Sequence, residues 1–334
     1  MTNRTCALIR PFAFSFGLVL LLSVPLLGQI GAVRGPVSGL VFDTPSRSIR
    51  PILGVAGAGY LGKPLISPIE FASVAPDGDT VLVISEGQSK LARGLNTGSP
   101  TSTLIEELSG IPDEIVWAPD VSSLVAYYAS TRQLFLVAIS SDKLLGASLL
   151  DASSLPGEVR SVTVSEGGAT VLVGMRDAEA GGVYRVSADA PPSLVASVAD
   201  PAAMVTVKGG RAVYAVDAGA RLIIEIQDAG HLPQVVPLIE EPDDRFDPVG
   251  LAVDRGGLSL YVANARSRTI FVYDLASRTR IGELATEAAP ELLKPLPGSA
   301  SFLLAKHREA GEPIWILDTA DTGSTYFIPD GGQE

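Results

Sequence analysis

Short apolar runs separated by small or acidic turns recur along this chain with a long period. The clearest instance is 249–284, VGLAVDRGGLSLYVANARSRTIFVYDLASRTRIGEL. Val249 to Val253 ends at Asp254-Arg255-Gly256-Gly257, and Leu258 to Ala263 ends at Asn264 to Arg268. Thr269 to Tyr273 then ends at Asp274, and Arg280 to Leu284 follows. Short apolar runs divided by Gly, Asn, Asp and Ser predict antiparallel strands joined by tight turns.

The same arrangement recurs at 71–87, 115–130, 161–176, 204–218 and 292–307, each an apolar run, a turn and a stronger apolar run. The turns fall near Asp77, Asp120, Glu166, Gly209, Arg255 and Gly298, at spacings of 43, 46, 43, 46 and 43 residues. A repeat of this length carrying four strands predicts an all-β fold, a β-propeller of four-stranded antiparallel blades. One such sheet buries too little apolar surface alone, whereas sheets stacked around an axis bury both faces. That accounts for second strands that are almost continuously apolar, such as 80–85 and 170–174.

Six repeats cover about residues 69–330. The runs Val37 to Phe42 and Ile49 to Leu53 remain, and they favour seven blades over six. They either form a partial blade or complete, within 37–65, a blade shared with the C-terminal run Thr325 to Ile328. Mixing the chain ends in one blade would remove two free edges.

The stretch 260–284 resembles a repeat of the YVTN/NHL propeller group: Tyr261, Val262, Asn264 and Asp274 occupy its Tyr-Val-x-Asn and strand-ending Asp positions. The other five repeats are degenerate. The resemblance implies the fold and leaves function open, since propellers host unrelated activities.

The amino terminus departs from this pattern. Arg4 and Arg10 precede an uncharged stretch, 11–33, with small residues at Gly28, Gly31 and Ala32. This reads as a secretory leader over 1–32, followed by a single domain over 33–334. An uncleaved anchor is the alternative, because the run can span about 30 Å of hydrocarbon; Ser23 and Pro25 shorten its apolar core and favour cleavage. The expected address is periplasmic or extracellular. The one cysteine, Cys6, lies in the leader, so the mature chain is expected to lack disulfides and thiolate chemistry. Cleavage at 32 would shift the net charge from −12 to −14 by removing two arginines and no acid. Such a field disfavours nucleic acid and anionic membrane. A membrane contact is expected only if the leader is retained, and the chain is read as a monomer.

Candidate chemistry is sparse. Gly57-Ala58-Gly59-Tyr60-Leu61-Gly62 matches G-x-G-x-x-G, but Pro64 and Pro68 fall where the required helix would begin. The loop is therefore read as a connector from one strand to the next blade. His231 and His307 are 76 residues apart beside turn or charged sequence, and are read as surface residues. No G-x-S-x-G elbow occurs. Glu240, Glu241, Asp243, Asp244 and Asp247 crowd one connection between blades. They are candidate calcium ligands, though without EF-hand spacing, and a solvated linker is the alternative. Arg266 and Arg268 share one turn, and Arg278 and Arg280 flank the next, with Asn264 beside the first pair. These are candidate anion or ligand contacts, on turns expected to point to opposite faces. Trp117 and Trp315 are expected to pack between blades.

Two functions fit. The first is an exported, non-catalytic propeller that recognises a protein, peptide or ligand at its loops. The alternative is a metal-dependent hydrolase similar to propeller lactonases, with Asn264 or the 240–247 acids at its site.

Overall fold

The computed structural model describes residues 36–329, apart from 96–99, 141–142, 179–180, 208, 210–211, 255, 298–299, 306–307 and 321–322. The expected leader, Cys6 and His307 lie outside the described residues. No helix among the described residues is long and apolar enough to cross a membrane.

Seven antiparallel sheets follow one another along the chain, each a meander whose neighbouring strands are consecutive in sequence. Blades 2 to 7 have four strands each and begin at Phe71, Glu114, Glu158, Pro201, Pro248 and Lys294. Blade 1 has three described strands, Val37–Asp43, Ser48–Leu53 and Tyr60–Leu61. Seven is thus the blade number.

Seven apolar clusters among the described residues fill the seven gaps between sheets. One joins Leu82 and Ile105 of blade 2 to Leu124 and Val137 of blade 3. Another joins Val41 and Ile52 of blade 1 to Ile314 and Ile316 of blade 7, and this closes the ring. Second strands such as Ser123–Tyr128 and Val171–Arg176 are buried along nearly their whole length because both faces meet a neighbour. The outer strand Thr279–Ala285 is largely exposed. Innermost strands come close together: a Cβ added at Gly250 of blade 6 would lie 2.6 Å from the Leu293 amide nitrogen at the edge of blade 7.

The turns explain the register. Between the second and third strands of blades 3, 5 and 6 the chain adopts a left-handed φ at Arg132, Arg221 and Arg268, and Arg47 does the same in blade 1. Asp217 and Asn264 end the second strands of blades 5 and 6, and Asp43 ends Val37–Asp43. The strands of blade 1 therefore correspond to the second to fourth strands elsewhere. Asp217 shows why an Asx residue suits this place: its carboxylate accepts amide hydrogens from Ala199, Asp200, Gly219 and Ala220, tying the incoming loop to the turn.

Two expectations are corrected. Ser324–Ile328 is hydrogen-bonded to Ile314–Asp318 within blade 7, so 37–65 does not share a blade with the C-terminal run. The last repeat already supplies four strands of its own, and the chain ends meet through side chains instead. The glycine stretch 57–62 ends the connection after Ser48–Leu53 and includes the third described strand, Tyr60–Leu61, so it does not cross to the next blade. Past it, no helix begins: Gly62 hydrogen-bonds to Pro51 and Leu65 to Ile49, so the chain runs back along Ser48–Leu53. A Cβ at Gly59 would sit 2.5 Å from Ile328 Cδ1 of blade 7, so the chain ends pack closely here.

Candidate functional faces

Because each blade is a meander, its first–second and third–fourth turns share one face of the ring, and its second–third turns and interblade connections share the other. The two faces differ in chemistry.

The second–third face is laced with ion pairs. Asp43 accepts from Arg50 at 3.2 Å and from the Arg308 Nε at 3.0 Å, and Arg308 Nη2 and the Ser46 hydroxyl also donate to it. Burial alone would raise the Asp43 pKa; the Ser46 bond and the two arginines outweigh it and leave it below the ordinary carboxylate value.

The acidic connection 240–247 belongs to this face. Arg245 grips Glu283 with two bonds of 2.6 and 2.8 Å and Asp243 with bonds of 3.1 and 2.7 Å. Arg280 reaches Asp243 at 3.1 Å and Glu241 at 3.4 Å. Glu241 is buried and accepts the Tyr273 hydroxyl at 2.7 Å, while burial and that carboxylate push the Tyr273 pKa up. The Asp243 pKa is held well below the usual range, chiefly by its bonds to Arg245. Asp244 pairs with Arg221 at 2.6 Å. Both Arg245 and Arg280 lie over the Phe271 ring, at 5.5 and 4.4 Å, and Phe246 stacks near it at 6.5 Å. A cation at Asp243 would have to displace two guanidinium groups. Among the described residues no group of three His, Cys, Asp or Glu side chains gathers in metal-holding fashion.

Asn264 is fully buried; its Oδ1 accepts the Asp247 amide at 2.9 Å and its Nδ2 donates to the Val262 carbonyl at 3.2 Å. Its position fits loop fastening, as at Asp217. Replacing it with Ala is expected to cost about 1–3 kcal/mol, read as a lowered urea midpoint, because the Asp247 amide loses its acceptor. Arg266 is exposed and approaches Asp247 at 3.9 Å, Arg268 is exposed, and Glu240 points to solvent. Arg278 occupies the opposite face, while Arg280 joins the acidic connection. The structure thus brings Glu241, Asp243 and Arg280 together and leaves Glu240, Arg266 and Arg268 outside that network. Sequence reading missed Arg245, the arginine at its centre, although it lies between Asp244 and Asp247.

The other face carries the apolar exposure. Among the described residues the six most exposed large apolar side chains are Leu232, Leu258, Ile281, Val55, Leu145 and Leu194, with Leu232 at 81% and Leu258 at 63%. Leu258 lies at a first–second turn, and the others lie in a third–fourth turn or at the start of the strand after it. Acids stand on the same face, and some bind the neighbouring turn: Asp120 and Glu166 accept the amides of Gly167 and Gly209. A cavity of about 190 Å³ opens there between blades 4 and 5, lined by Thr163, Glu166, Thr170, Thr206 and His231 among others. His231 is exposed, with Nδ1 at 3.6 Å from Asp228.

At the axis, Lys294 of the innermost strand of blade 7 donates to Ser73 Oγ of the innermost strand of blade 2 at 3.0 Å. Trp117 of blade 3 donates its indole N–H to the same oxygen at 3.0 Å. Trp117 also packs between blades 2 and 3, and Trp315 packs beside the blade 6–7 cluster, as expected.

No protein-family model and no curated protein matches the sequence. Solved structures do match the fold. The periplasmic gluconolactonase of Pseudomonas aeruginosa aligns over 88% of this chain and 96% of its own, with 16% identity and a TM-score of 0.59. A functionally unknown protein from Desulfotomaculum acetoxidans DSM 771 aligns over 87% of this chain and 98% of its own, with 12% identity and a TM-score of 0.58. At such identity the likeness concerns the propeller fold alone.

Proposed function

We propose that the chain is an exported, non-catalytic recognition propeller of YVTN/NHL-like repeat type, binding a protein or peptide on the face of its first–second and third–fourth turns. One observation carries this reading: the six most exposed large apolar side chains among the described residues share that face, while ion pairs occupy the other. Apolar side chains presented at the turns of several blades on one rigid scaffold favour macromolecular contact. The acids on that face and the net charge of −12 select a partner with apolar and basic side chains. The lactonase-like alternative draws less support, because Glu241, Asp243 and Asp244 already hold arginines.

The test is selection from a random peptide library on the purified chain, followed by binding to Leu258→Ser/Ile281→Ser. Selected peptides are expected to combine apolar residues with Lys or Arg, and to bind the double variant at least about tenfold more weakly at unchanged circular dichroism. Equal binding to both proteins, or selection of acidic peptides, overturns the reading.

A further inference from the structure

We propose that the axis of the ring holds a binding site for a small oxyanion, a carboxylate or a tetrahedral anion such as sulfate, built from Lys294 and Ser73 and braced by Trp117.

The argument is a count of donors. An ammonium carries three N–H groups and accepts nothing; a hydroxyl has one O–H and two lone pairs. Lys294 gives one N–H to Ser73 Oγ, and Trp117 gives its indole N–H to the same oxygen. Both lone pairs of Ser73 are thereby taken, so its own proton must be donated outward. Among the described residues no acceptor is recorded for that proton or for the two other N–H groups of Lys294, and no carboxylate pairs with the ammonium. Three donors and one positive charge converge from blades 7 and 2. An anionic oxygen on the open side of this cluster meets all three while neutralising the charge.

The position is built rather than incidental. Ser73 is buried, and Trp117 fixes its oxygen from the side of blade 3. Lys294 keeps partial solvent contact, so the site has an open side. Burial pushes the Lys294 pKa down to about 8. The lysine is therefore still mostly protonated at neutral pH. Such a site works against the acidic field of the whole chain, which makes it local and selective for small anions that reach the axis.

The experiment titrates sulfate, and separately acetate, into the purified exported chain by calorimetry at pH 7 and pH 9. Sulfate keeps its charge over this interval, so the pH dependence reports the lysine. Binding of at least one probe is expected, about tenfold weaker at pH 9 as the protonated fraction of a group with pKa near 8 falls. Sulfate alone binding assigns a tetrahedral ligand, acetate alone a carboxylate. Lys294→Met is expected to abolish binding and Ser73→Ala to weaken it several-fold. Should Lys294→Met fail to fold, the pH dependence of the unsubstituted chain and the Ser73→Ala value still decide. No binding of either probe, pH-independent sulfate binding, or a Lys294→Met protein that binds as before overturns the proposal.

Discussion

Asp43→Ala is expected to destabilise the ring by about 3–5 kcal/mol, seen as a lower urea midpoint at unchanged slope. Asp43 is 1% exposed and holds Arg50 from its own blade and Arg308 from blade 7, whose side chain is 7% exposed. Removing the carboxylate takes away the negative charge that two largely desolvated guanidinium groups share. The loss is larger than for a surface pair because water cannot replace the missing partner. Asp43→Asn keeps the shape and some hydrogen bonds, and is expected to lose less. The same residue sets an acid dependence. Its folded pKa lies below the unfolded value of about 3.9. Its contribution is therefore complete above that value and disappears as pH falls through the folded pKa. A chain in which Asp43→Ala unfolds within 1 kcal/mol of the original, or loses the same stability at low pH as the original does, would show that the seam is held by apolar contact alone.

The second large effect is expected at Phe271. Replacing this fully buried ring with Ala should cost about 3–5 kcal/mol, from lost burial and the cavity left behind. Phe271 is the floor on which Arg245 and Arg280 rest and against which Phe246 stacks. Its removal should therefore also speed amide exchange in 241–247, the connection those arginines hold. Phe271→Leu refills much of the volume without the ring face, so it should recover most of the stability and little of the exchange protection. Faster exchange confined to blade 6, with the connection unchanged, would contradict the role given to the ring.

The propeller was legible because its signal is local and repeated. Each blade must place a turn before a doubly buried strand, so spacings of 43 and 46 residues survive wide divergence of the residues themselves. Asn264 could be read from its turn, and the structure places it at that turn, fastening a loop. The side-chain constellations were not legible, because they join residues from different repeats. Arg245 meets Glu283 across 38 residues, Lys294 meets Ser73 across 221, and Arg308 meets Asp43 across 265. Nothing in the local periodicity marks such partners. Reading 240–247 as an acidic run hid the fact that its carboxylates are matched by cations from Arg221, Arg245 and Arg280. The division of blade 1 escaped as well: the three strands of 37–61 follow the second-to-fourth pattern, which only the Asp43–Arg47 turn reveals once it is superposed on Asp217–Arg221.

Blades 7 and 1 touch without being consecutive in the chain, whereas every other adjacent pair is also tethered by the polypeptide. That joint behaves as the clasp of a bracelet. Thermal breathing, or tension applied through the two ends, is expected to open the ring there first while each sheet keeps its own ladder intact.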